Sequence, residues 1–215
     1  VDVVWGGAAV VIARLKSCIR WFLVWSSGSA LGAVYRWGYG WLIALAERVL
    51  RGSEGCESLY LSRGCSKGEI VPGLSDIDLI VVMREGPRGE IERRFRFLQA
   101  VSGGLIPYDP AFVLTEAEMR YRWESTPLWR YRYQEGKANW QLLWGREVHA
   151  ALPEMGERER REGCVAEMNY WWVQFARFVL GDGPESRDTI VRNSICYKAV
   201  AEVLNARHAL RTGEH

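Results

Sequence analysis

The stretch Leu59–Met83, LYLSRGCSKGEIVPGLSDIDLIVVM, limits what this chain can fold into more than any other. Its last six residues, Asp78–Met83, are a Val/Ile-rich run that follows a turn containing Pro72 and Gly73. Such a run reads as a short buried strand. Ser58–Leu61 reads as a shorter strand before it, and Arg63–Gly73 as the Gly-rich turn between the two. A chain that begins this way builds a sheet whose two strands are joined by a Gly-rich connection.

The remaining segments are placed around that pair. Trp41–Leu50 reads as a helix with Leu42, Leu45 and Val49 on one face, stopped by Gly52 and Gly55. Gly86–Gly89 is a loop, and Glu90–Val101 a basic amphipathic helix. Leu105–Leu114 is a third strand candidate, interrupted by Pro107 and Pro110. Ala138–Leu152 reads as helical up to Pro153, and Glu157–Glu162 as a charged linker or helix start. Two helices close the chain. Val165, Met168, Trp172, Phe175 and Val179 form the apolar face of the first, and Val191, Ile195, Ala199 and Val203 that of the second. Gly181–Pro184 is the turn between them. The fold class expected is α+β, a mixed β-sheet flanked by helices with a C-terminal helical hairpin. Three regions follow: residues 1–40, an apolar, helical segment of uncertain role; 41–153, the domain that carries the sheet; 154–215, the helical region.

Composition narrows the function classes. Hydrophobic residues make up 48% and charged residues 25% of the 215, the balance of a globular chain rather than a disordered one. A net charge of +2 gives no strong field to attract nucleic acid, so a nucleic-acid partner is disfavoured. The five cysteines, Cys18, Cys56, Cys65, Cys164 and Cys196, lack CxxC spacing and fit a reduced, cytoplasmic protein. Three histidines, His149, His208 and His215, lack metal-ligand spacing, and His149 reads as a surface helix residue. Trp21–Tyr35 and Trp37–Ala46 carry no charge, but Arg14, Lys16, Arg20 and Arg36 break the N-terminal region, so no spanning helix is expected there. Packing against the domain is the expected role of this region, and contact with a membrane surface or partner is the alternative.

The chemistry gathers at Asp76 and Asp78. Side chains at i and i+2 of a strand share one face, so two carboxylates are held together at a strand mouth, where their repulsion calls for a cation. Mg²⁺ takes a few carboxylate oxygens together with phosphates and water. Gly64 lies twelve residues before Asp76, in a turn that also holds Gly68 and Gly73, where backbone N–H groups can approach phosphate oxygens.

This constellation resembles the signature of the DNA polymerase β-like nucleotidyltransferases: a strand, a Gly-Ser turn, about ten residues, then Asp-x-Asp flanked by apolar residues. Ser75–Leu79, SDIDL, with Pro72-Gly73-Leu74 before it, is similar to the form found in minimal and antibiotic nucleotidyltransferases. Cys65 stands where the family has Ser, and a thiol is a weaker donor than a hydroxyl. Leu142–Leu152 resembles the segment that often ends this domain, so the likeness covers about Leu59–Pro153.

The resemblance implies two Mg²⁺ ions and an NTP, ATP by expectation, with the monophosphate passing to a hydroxyl of a small molecule or protein. It implies metal binding by Asp76, Asp78 and a third carboxylate, for which Asp109 is the candidate and Glu116 the fallback. It also implies phosphate binding by Gly64, Cys65 and Ser75. A basic residue of the helical region, Lys198 or Arg192, is a candidate to reach the triphosphate, against the reading of both as solvated helix charges. The alternative is a catalytically degenerate fold used as a binding or regulatory module, such as a toxin–antitoxin component. Arg120–Tyr133, RYRWESTPLWRYRY, could stack bases. Its period of two instead suggests a strand at the cleft rim, with Tyr121, Trp123, Tyr131 and Tyr133 on one face.

Overall fold

A computed structural model of the chain describes residues 18–181 and 189–212. Four strands form one mixed sheet in the order β3-β2-β1-β4. They are β1 (Cys56–Leu61), β2 (Leu79–Met83), β3 (Val113–Thr115) and β4 (Gln141–Gly145). β1 runs antiparallel to β2 and β4, and β2 runs parallel to β3. The α+β class is therefore as the sequence implies.

Period-two alternation distributes the side chains of the central strands to two cores. Leu59, Leu61, Leu79, Val81 and Met83 face a core shared with helix α2 (Leu31–Leu50) and helix α4 (Gly89–Val101), which supply Ala46, Leu50, Ile91, Phe95 and Leu98. Tyr60, Ile80 and Val82 face the other. There they meet Met119 and Trp123 of α5 (Glu116–Ser125), Tyr131 and Tyr133 of α6 (Pro127–Asn139), Cys164 of α7 (Glu157–Leu180), and Ala206 and Ala209 of α8 (Thr189–Thr212). The sheet thus lies between two helical layers. Residues 18–26 are also helical (α1), and a single helical turn, α3 (Arg63–Ser66), follows β1.

Several expected elements take a different form. The helix read at Trp41 begins ten residues earlier, at Leu31, and runs through residue 40 without a break. Ala138–Leu152 is not a helix: α6 ends at Asn139, and Gln141–Gly145 pairs with β1 as an edge strand. The open side of β1 needs backbone partners, and that need outweighs the local helical spacing. Gly145 makes the pairing possible. Its φ is +92°, and a Cβ there would run into the Glu57 carbonyl.

Arg120–Tyr133 is two helices rather than a strand. A capping box of Thr115 and Glu118 starts α5, and Pro127 starts α6 at its first turn. Trp123, Tyr131 and Tyr133 are buried, whereas Tyr121 is exposed. The third strand shrinks to Val113–Thr115, because Asp109 and Pro110 open a 3-10 turn.

The buried face of α7 also differs from the expected one. Val165, Trp172 and Val179 are exposed, while Gly163, Cys164, Glu167 and Trp171 are buried. A Cβ on Gly163 would sit 2.7 Å from Tyr131 Cβ, so the smallest residue, not the most apolar stripe, sets where α6 packs. Of the turn read at Gly181–Pro184, all but Gly181 lies outside the described residues.

His149 is 3% exposed, correcting its reading as a surface residue. Its ring stacks on Trp140 at 4.4 Å, and its Nε2–H donates to the Tyr133 carbonyl at 2.6 Å. No helix among the described residues is long and apolar enough to cross a membrane.

Candidate active site

The end of β1 and the start of β2 lie side by side because the strands are antiparallel, with Leu61 opposite Leu79. Just beyond this pair, the backbone N–H of Ser62 donates to the Asp78 carbonyl at 2.9 Å, and the Ser62 hydroxyl donates to the same oxygen. The chain then enters α3 through Arg63, the one described non-glycine residue at positive φ, +58°. A left-handed conformation at a residue with a Cβ costs energy and persists only where surrounding contacts enforce it. Here the Arg63 guanidinium lies 3.8 Å from Asp78 Oδ1 and over the Phe112 ring.

The twelve-residue connection folds back so that the two motifs meet. The Cys65 thiol donates to the Asp76 carbonyl at 3.2 Å, and the Glu69 N–H donates to the Gly64 carbonyl at 2.8 Å. Ser75 Oγ accepts from the Val71 N–H at 2.8 Å, which closes the Val71–Ser75 turn. Gly73, at φ +86°, leaves room for Leu23 and the Arg20 carbonyl, each just over 3 Å from where its Cβ would be. Two long-range bonds hold the loop from outside. Arg20 donates to the Gly73 carbonyl at 3.1 Å, and the Tyr39 hydroxyl to the Ser75 carbonyl at 2.7 Å.

Burial alternates along the strand mouth: Ile77 is fully buried, while Asp76 and Asp78 on either side of it are open to solvent to different degrees. The Ile77 N–H donates to the Leu105 carbonyl at 2.7 Å, so the segment between the carboxylates is fixed. Asp76 remains reachable from solvent, yet protein crowds it. That crowding, and secondarily the charge of Asp78, pushes its carboxyl up to about 6, with Lys198, Arg20 and Arg63 pulling the other way. Burial, with the same two carboxylates, pushes the Cys65 thiol up to about 11, so it stays protonated and unreactive.

The predicted site residues therefore divide. Asp76, Asp78, Gly64, Cys65 and Ser75 come together. Cys65 and Ser75, however, use their side chains to hold the loop. Asp109 lies at the same end of the sheet as Asp78, because β3 runs parallel to β2 with Val113 opposite Val81. Its carboxylate accepts from the Ala111 N–H at 2.8 Å. Among the described residues no group of three or more His, Cys, Asp or Glu side chains is gathered closely enough to hold a metal, so Asp109 is not joined to the pair. Glu116 sits beyond the other end of β3, paired with Arg146 at 2.7 Å. Lys198 lies within electrostatic reach of Asp76, and its ammonium lies 5.4 Å from the Trp171 ring centre.

Sequence reasoning missed Arg63, Arg20 and Tyr39. Arg63 left one trace, a basic residue directly before Gly64. The other two sit in an apolar N-terminal stretch whose pairing with the loop is entirely non-local. Comparison with family models, curated proteins and solved structures returns no match to this chain.

Proposed function

We propose that this protein is a Mg²⁺-dependent nucleotidyltransferase of the DNA polymerase β-like kind. It moves a nucleoside monophosphate from an NTP, with ATP the expected donor, to a hydroxyl of a small molecule or protein and releases pyrophosphate. The supporting observation is the junction of β1 and β2, where the Gly64 turn and the Asp76–Asp78 pair are stitched together by Ser62 and Cys65. Two adjacent carboxylates, one of them destabilised in its charged form, are a donor set suited to a hard divalent cation. Asp76 and Asp78 would hold Mg²⁺, which supplies charge neutralisation at the phosphates.

The protein's own part is positioning. The Gly64 turn offers backbone close to the carboxylates, and Arg63 and Lys198 bring positive charge beside them. In the reaction the acceptor oxygen bonds to the α-phosphorus, the bond to the bridging oxygen of pyrophosphate breaks, and the acceptor proton leaves to a base. Asp109 is our candidate for that base, from its place at the same end of the sheet.

A binding module without turnover is the rival reading. It draws support from the Cys65 thiol, which points to the Asp76 carbonyl, and from Asp109, which caps its own turn. Incubation with Mg²⁺ and α-³²P-labelled NTP decides between them. Label transfer with pyrophosphate release, lost in Asp78→Asn with unchanged circular dichroism, supports the enzyme. Nucleotide binding with no pyrophosphate from any NTP and acceptor supports the module.

A further inference from the structure

Helix α2 is apolar on two opposite sides. Tyr39, Ala46 and Leu50 are buried against the domain, whereas Val34, Trp37 and Trp41 face away from it, with Trp37 74% exposed. Helix α1 repeats the pattern with Ile19, Trp21, Phe22 and Trp25, the last 71% exposed, and the Trp21 and Trp25 rings stack in parallel at 6.0 Å. A helix that is apolar all round is ordinarily covered on all sides, and exposed apolar surface rich in large aromatics marks a contact site.

The charge of this segment identifies the occupant. Between Asp2 and Glu47 the sequence holds no acidic residue, and of the described basic residues there Arg20 is turned to the Gly73 carbonyl while Arg36 is exposed on α2. A protein partner of mixed charge does not call for such one-sidedness, but an anionic surface does. Trp is the side chain best suited to a bilayer interface, since its ring body is apolar and its N–H is polar. Four of the eleven tryptophans, Trp21, Trp25, Trp37 and Trp41, lie in the described part of this acid-free stretch, and all four are exposed. Among the described residues no helix is long and apolar enough to cross a bilayer, so the mode is docking on the surface.

We infer that the α1–α2 segment docks this protein on an anionic phospholipid bilayer through its outward-facing tryptophans, with the exposed Arg36 and no acidic residue among them. The surface is wired to the carboxylate loop by the Arg20–Gly73 and Tyr39–Ser75 hydrogen bonds, but the inference does not depend on the reaction proposed above.

The test uses the full chain with phosphatidylcholine vesicles, with and without phosphatidylglycerol, read by flotation and tryptophan emission. Binding to the phosphatidylglycerol vesicles with a blue shift is expected, weakening as salt rises. The Trp37→Ser/Trp41→Ser variant should bind about tenfold more weakly or worse, and Arg36→Glu should weaken binding to anionic vesicles alone. These residues are exposed, so unchanged circular dichroism in both variants is expected. Three results would overturn the inference. One is no binding to either vesicle. Another is a concentration-dependent dimer, removed by the tryptophan substitutions, in place of lipid binding, which would make a second copy the occupant. The third is emission that is blue-shifted without vesicles and unchanged by them, which would mean that the chain itself covers the face.

Discussion

Asp76 concentrates the cost of this site in one side chain. Its carboxyl is harder to ionise than a free one, because protein crowds it and Asp78 lies beside it. Removing that charge therefore helps the metal-free fold while removing a ligand of the proposed Mg²⁺ site. Asp76→Asn is expected to raise the melting temperature in chelator and to abolish any rise on adding Mg²⁺ with nucleotide, both read by calorimetry. Gly145 carries a cost of another kind. Gly145→Ala forces a Cβ against the Glu57 carbonyl at φ +92°, and urea unfolding should show a loss of about 2–4 kcal/mol. His149 gives the fold a pH dependence. Burial lowers its pKa below the ordinary 6.5, so the unfolded chain takes up a proton before the folded one does. The stability due to neutral His149 is complete above about pH 6.5 and is lost as pH falls from there toward the folded pKa. The melting temperature should drop across that window, and His149→Gln should flatten the drop.

Among the elements, α6 and α7 are joined by a clamp. Arg132 of α6 reaches Glu167 of α7 through two hydrogen bonds, at 2.9 and 3.2 Å, and Trp171 Nε1–H donates to the same carboxylate at 2.7 Å. Both charged side chains are largely covered, at 14% and 9% exposure. Glu167→Ala would strand the guanidinium, and a destabilisation of about 3–5 kcal/mol is expected in denaturant unfolding. The same helices show where sequence reading reaches its limit. β2 was legible because a Val/Ile run bounded by turn residues has few other uses. The Asp76–Asp78 pair was legible as two carboxylates just before an apolar strand; the structure starts β2 at Leu79, after both, and buries Ile77 between them. β4 was hidden, since the apolar residues of 138–152 also fit a helix and the partner that decides between them, β1, lies more than 80 residues away. The buried face of α7 was hidden for a similar reason: the contact is set by Gly163 against Tyr131, and a hydrophobic stripe carries no record of that. Arg63 was hidden because nothing in a sequence announces a left-handed arginine.

At the scale of the whole molecule, one sheet between two helical layers presents its β1–β2 junction to solvent at one end. The N-terminal hairpin braces the carboxylate loop from one side, and Lys198 of the C-terminal helix approaches from another. The site is thus assembled from segments that span most of the chain, and in the proposed function Asp76 and Asp78 bind a divalent cation together with a nucleotide. Isothermal titration of the full chain with ATP, in Mg²⁺ and in chelator, tests this most directly. Saturable Mg²⁺-dependent binding is expected, and Asp76→Asn and Asp78→Asn should both abolish it while their melting transitions remain cooperative. Wild-type protein that takes up no nucleotide in Mg²⁺, or variants that bind it as well as wild type, would contradict it.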